Sequence, residues 1–110
     1  MRIEWSNRAQ DDLSNILRYI VESFGLNTAV RINSEILDTI NILADFPYMG
    51  EVFYEDSLKE TLYYSFSARY YKVIYTTNDT SLYILMLWNN RRDQKELLKQ
   101  VSLSEKNNNI

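Results

Sequence analysis

The chain has 110 residues, 45% of them hydrophobic and 25% charged, with a formal net charge of −3 and neither cysteine nor histidine. That length and composition suit one compact domain and exclude a disulfide framework, a thiolate zinc site and a cysteine nucleophile. Without histidine the commonest metal ligand is missing, and so is the side chain that ordinarily titrates near neutral pH. No cofactor is expected. The chain opens on no basic segment followed by an apolar one, and no apolar run approaches twenty residues, so a cytoplasmic protein without a membrane partner is expected.

The charge is unevenly spread. Residues 1–58 carry Arg2, Arg8, Arg18 and Arg31 against ten carboxylates, a balance of −6, whereas residues 59–110 carry eight cations against five carboxylates, a balance of +3. Two electrostatic faces or a simple solubility balance would both follow from this split.

In chain order, Ile3 and Trp5 alternate as in a strand, and Ser6 offers a helix N-cap. Ala9, Leu13, Ile16, Leu17, Ile20 and Phe24 then recur at helical spacing up to Gly25, a natural stop. Asp11 and Asp12 sit early in this helix, where a carboxylate suits the positive end of the dipole. Asn27 or Thr28 caps a second helix carrying Ala29, Ile32, Ile36, Ile40, Leu43 and Phe46. Pro47 ends it, since its ring donates no hydrogen bond and restricts the residue before it. A linker of about two residues implies an antiparallel helical hairpin. Val30 and Leu37 fall off the second stripe and could fill the core or line a partner groove.

Residues 47–57 read as a loop holding aromatics and three acids. Strand-like runs follow over 60–66, 70–76 and 81–88. The last two are separated by Thr77-Asn78-Asp79-Thr80, a turn-forming set that predicts a hairpin. A short helix over 94–101 closes the domain, and 102–110 lacks periodicity and is expected to be disordered. The single domain is expected to span 1–101. The order predicts an α+β fold: an N-terminal strand, a two-helix antiparallel hairpin packed on an antiparallel sheet, and a short C-terminal helix. Ile16, Ile20, Ile36, Ile40, Val73, Ile84 and Met86 form the expected core.

Two features invite chemistry. Within 70–76, Lys72 shares a face with Ile74, opposite Tyr71, Val73 and Tyr75; its ammonium either snorkels to solvent or meets a phosphate or acidic partner. The last strand runs into Asn89-Asn90-Arg91-Arg92-Asp93. Two guanidiniums at a strand exit suit bidentate contact with carboxylate or phosphate, or form a solvated pair with Asp93 and Glu96. The aromatics Tyr63, Tyr64, Phe66, Tyr70, Tyr71, Tyr75, Tyr83 and Trp88 could stack on nucleobases or pair across strands within a core.

Four segments together resemble the RelE/ParE superfamily of type II toxin–antitoxin toxins. Trp5-Ser6-Asn7-Arg8-Ala9-Gln10-Asp11-Asp12-Leu13 is similar to its opening W-(S/T)-x-x-A-x-x-D-L, and Leu43 through Gly50 to its L-x-x-x-P-x-x-G. Tyr70-Tyr71-Lys72-Val73-Ile74-Tyr75 is similar to its Y-R/K-V/I-I-Y strand, and Tyr83 through Asp93 to its last strand with an R-R/Q-D/N exit. The resemblance implies a growth-inhibiting toxin held in check by a cognate antitoxin. RelE-like members cleave mRNA on the ribosome, and ParE-like members poison DNA gyrase. A ribonuclease here would use Lys72 and Arg91 as cations and Glu60 or a tyrosine as proton carriers. The lack of histidine and the negative net charge favour instead a ParE-like toxin that binds gyrase, with an inactive relative acting as a binding module as a further alternative. Target contact is then expected from Lys72, Asn90, Arg91 and Arg92, and antitoxin contact from Leu17, Val30 and Leu37. A homodimer is also open.

Overall fold

The structure, a computed structural model, describes residues 1–68 and 71–89. Tyr70, Asn90, Arg91, Arg92, the expected helix over 94–101 and the tail 102–110 lie outside them.

β1 (Arg2–Trp5) leads through Ser6 into α1 (Asn7–Phe24). Ser6 adopts extended backbone and its Oγ accepts the Ala9 N–H at 2.9 Å, as the N-cap reading predicts. α2 follows at Leu26–Asp45, so Gly25 alone joins the helices. The second helix thus begins before Asn27 and Thr28, which cap nothing. The physical reason is Gly25 itself: its φ of +93° lies where L side chains are strained, and glycine reverses the chain in one residue. Asp11 and Asp12 fall beyond the first turn, which contains no acid. The dipole argument therefore does not account for them.

β2 (Glu51–Asp56), β3 (Thr61–Ser67), β4 (Tyr71–Thr77) and β5 (Ser81–Asn89) complete a five-stranded sheet ordered β1-β5-β4-β3-β2. β2 corrects the expectation of a loop over 47–57. Glu51, Glu55 and Asp56 gave that stretch a loop-like polarity, yet acids suit an edge strand that must resist pairing with other chains. The sheet is mixed: β2 to β5 are antiparallel neighbours, while β1 lies parallel to β5. Asn78 builds the β4–β5 turn, its Oδ1 accepting the N–H groups of Thr80 and Ser81, both at 2.9 Å.

The helices cover one face of the sheet. Ala9, Ile32, Ile36, Ile40 and Leu43 pack there against Tyr64, Tyr71, Val73, Tyr75, Leu82, Ile84 and Leu87, with Ile16 and Ile20 half-buried at the margin. The opposite face carries a second apolar cluster of Tyr63, Ile74, Leu85, Met86 and Trp88. Of the expected core, Ile36, Ile40, Val73, Ile84 and Met86 are fully buried. Phe24 and Phe46 sit on the predicted stripes at helix ends, yet are 65% and 64% exposed.

A tyrosine ties the connection after α2 to the sheet. Tyr75 donates its hydroxyl to Pro47 O at 2.8 Å and accepts the Gly50 N–H at 3.1 Å. A Cβ on Gly50 would stand 2.6 Å from that hydroxyl oxygen and 3.0 Å from Ser65 O, closer than packing allows. Proline, glycine and tyrosine, read separately in the sequence, are one tertiary device.

Candidate functional site

β5 is the strand that leads to the arginine pair. It is not a regular strand. Ile74 pairs with Met86 but Tyr75 with Ile84, so Leu85 is a bulged residue. The extra residue lets Leu85 and Met86 both join the second cluster while Ile84 and Leu87 face the helices. β1 pairs with β5 only as far as Trp5 opposite Ile84. Beyond that point α1 takes over: Ser6 N–H donates to Ile84 O at 2.9 Å, Ser6 Oγ to Leu85 O at 2.7 Å, and Asp12 Oδ2 accepts the Leu87 N–H at 3.0 Å. Asp12 Oδ1 holds Arg8 Nε at 2.9 Å.

These bonds fix α1 parallel to β5. At 1.5 Å per helical residue and about 3.3 Å per strand residue, the two strand residues after Leu87 match four or five helical residues after Asp12. Roughly the last seven residues of α1, and the start of α2, therefore reach past Asn89. There Tyr19 and Phe24 meet edge to face at 6.4 Å, and Tyr19, Phe24, Leu26 and Val30 are each at least 59% exposed. Leu26, Val30 and Leu37 lie within about 40° of one another around α2, forming one apolar flank. The sequence reading found Val30 and Leu37; it missed Leu26, which fell in the expected linker, and Phe24, which it placed on the apolar stripe of the first helix. Leu17 is half-buried, and Leu37 is 40% exposed.

Lys72 stands on the face away from the helices, half-buried, opposite Ser67 on β3 and Trp88 on β5. Beside it in the chain, Tyr71 pairs with Asn89 and donates its hydroxyl to Thr39 Oγ1 at 3.4 Å on the helical face. Burial pushes the Tyr71 phenol above its ordinary range, opposed by the Thr39 bond and reinforced by the Glu35 carboxylate. Burial likewise raises Tyr75, against the Gly50 bond and with Tyr64 adding to it. Tyr64 stacks on Tyr75 at 5.3 Å. The dense aromatics are thus largely core: Tyr63, Tyr64, Tyr71, Tyr75 and Trp88 are all buried.

Glu60 is at the other end of the sheet. It precedes β3, in which Ser67 faces Lys72, so about seven extended residues, roughly 20 Å, separate the two along the strand. Its φ of +53° belongs to the β2–β3 turn. Lys72 and the last residues of β5 come together; Glu60 does not join them.

A mixed sheet with a helical hairpin on one face, an N-terminal strand and a strand ending at a basic exit is the architecture of the RelE/ParE toxins. A family profile described as "ParE toxin of type II toxin-antitoxin system, parDE" matches residues 3–94. The chain belongs to that family, and is therefore a type II toxin–antitoxin toxin for which an antitoxin partner is implied. Among solved structures it is similar to one titled "Chromosomal ParDE TA system from P. aeruginosa", at 16% identity and a TM-score of 0.62, covering 81% of this chain and 95% of that one. That likeness concerns the fold. No curated protein matches the sequence. Among the described residues, no helix is long and apolar enough to cross a membrane.

Proposed function

We propose that this toxin arrests bacterial growth by binding DNA gyrase through the end of the sheet where β5 leaves it, with Lys72, Asn90, Arg91 and Arg92 as the contacting residues. The observation that supports binding over RNA cleavage is the separation of Glu60, Tyr71 and Tyr75 from Lys72. Glu60 lies roughly 20 Å along the strands from Lys72. Tyr71 and Tyr75 occupy the opposite face of the sheet, with their hydroxyls engaged by Thr39, Pro47 and Gly50. A 2′-hydroxyl attack on phosphate needs an acceptor and a donor within hydrogen-bond reach of one reacting group. A binding toxin needs only surface.

Neutralisation falls to a cognate antitoxin in the same cytoplasm. The flank of Leu26, Val30 and Leu37 supports an amphipathic segment laid along the hairpin, with Leu17 at its edge. The acidic first half of the chain would favour basic residues at the rim of that segment.

Expression in a bacterial host tests the target. Growth arrest with inhibited gyrase supercoiling and intact cellular mRNA is the expected result. Codon-dependent mRNA cuts in a translating extract, with supercoiling untouched, would replace this reading by RNA cleavage. Replacing Arg91 and Arg92 together by Ala is expected to abolish arrest; a folding change of about 1 kcal/mol or less, the size expected of a solvated pair, would separate lost target contact from lost fold.

A further inference from the structure

Among the described residues, β1 leaves half of one edge of β5 without a neighbouring strand. Its last pair is Trp5 with Ile84, whereas β5 runs on to Asn89. Along that remaining edge the start of α1 substitutes for a strand, with a backbone N–H and a hydroxyl from Ser6 and a carboxylate from Asp12. The Leu87 N–H is held by a side chain 75 positions away in sequence. Asp12 is in turn held by Arg8 one helical turn earlier, and their side chains are only 15% and 31% exposed.

A carboxylate suits this place because it offers two acceptors and no donor. One oxygen serves the strand and the other serves the guanidinium. An amide of the same shape offers one oxygen and one NH2 group, and the NH2 would face either the Leu87 N–H or Arg8. The arrangement thus demands an acid while Arg8 is present, and only an acceptor once Arg8 is gone.

From this geometry we infer that Asp12 is a positioning residue for the toxin's working edge. It fixes the path of Leu87–Trp88–Asn89, the last strand residues before the Arg91-Arg92 segment in sequence, while Arg8 occupies the second carboxylate oxygen. The inference rests on the reading of that segment as the target contact. A plain helix-to-sheet staple would contribute stability alone; a positioning residue also sets activity at equal fold.

The test uses the full chain carrying Asp12→Ala, Asp12→Asn, Arg8→Met, or Asp12→Asn with Arg8→Met. Amide exchange at Leu87 is read by NMR against Val73, whose amide reports opening of the core, alongside inhibition of gyrase supercoiling. Losing the bond is expected to speed Leu87 exchange about tenfold relative to Val73 in Asp12→Asn and Asp12→Ala, the effect of one modest hydrogen bond, with inhibition weakened in parallel. Arg8→Met alone leaves Leu87 protected. In the double variant the amide oxygen can serve Leu87 undisturbed, so protection and inhibition both return toward wild type. Because the double variant restores rather than removes, it keeps the test decisive even if Asp12→Ala does not fold. Unchanged Leu87 exchange in both single Asp12 variants would overturn the inference. So would accelerated exchange with full inhibition, and the Arg91→Ala/Arg92→Ala protein then shows where the fault lies. If that protein is inactive, the positioning role is wrong; if it is fully active, the assignment of the target contact is wrong.

Discussion

The two ends of α1 obey different physics. Its N-terminal half is joined to the sheet by Ser6, Asp12 and the fully buried Ala9. Its C-terminal end runs off the sheet, where Tyr19, Phe24 and the adjoining Leu26 face outward. Along one apolar stripe of α1, Ala9 is fully buried whereas Phe24 is 65% exposed. Periodicity reports which side of a helix is apolar, and only the length of the strands beneath decides how much of that side is covered. Uncovered apolar surface on a toxin whose family implies an antitoxin is where a partner can add burial.

That contrast can be broken first at the covered end. Ile36→Ala or Ile84→Ala removes a side chain with no exposure and is expected to cost about 2–5 kcal/mol in urea unfolding. A loss below that range would show that the helical face of the sheet is less tightly packed than the structure implies.

Gly50→Ala comes next. Its Cβ would collide with the Tyr75 hydroxyl and the Ser65 carbonyl, so about 1–3 kcal/mol is expected, as for an overpacked site. Tyr75→Phe removes the hydroxyl from the crowded spot, and in that background the Gly50→Ala penalty is expected to shrink in a double-mutant cycle. An unchanged penalty would show that the backbone carbonyl at Ser65, rather than the tyrosine lock, governs the site.

A smaller effect is expected at alkaline pH. Tyr71 and Tyr75 are both raised, chiefly by burial, so the folded protein keeps phenolic protons that the unfolded chain releases near pH 10. The unfolded state then binds fewer protons than the folded one, and stability falls as pH rises. This contribution is fully present below about pH 10 and is lost above it. Tyr71→Phe with Tyr75→Phe is expected to flatten the decline in thermal melts between neutral pH and the alkaline limit; an equally steep decline would assign it to other groups.

The smallest stability change is expected at the uncovered end. Phe24→Ser with Leu26→Ser replaces residues 65% and 66% exposed and should alter folding by no more than about 0.5 kcal/mol per site, as exposed positions do. Binding of the antitoxin, measured by calorimetry, is expected to weaken markedly in the same protein. A large folding loss with unchanged binding would invert the comparison of the two ends.

By itself the sequence determined six of the seven described elements, all but β2, and their order. The serine N-cap, the proline stop, the asparagine turn and two apolar periodicities are local signals, each set by residues within one turn or one strand, and the four motifs sufficed to indicate the family. The face of Lys72 was legible too, because strand alternation is a local property. Tertiary structure decided the rest. β2 was hidden because an edge strand is defined by its neighbour and not by its own polarity. The parallel pairing of β1 with β5, the bulge at Leu85 and the meeting of Tyr75 with Pro47 and Gly50 all join residues far apart in the chain. Asp12 shows the division most plainly: its position in the sequence suggested a helix dipole, and only the folded chain placed it against the Leu87 amide. Local patterns carry no information about which distant donor a carboxylate will meet, because that choice is made by packing.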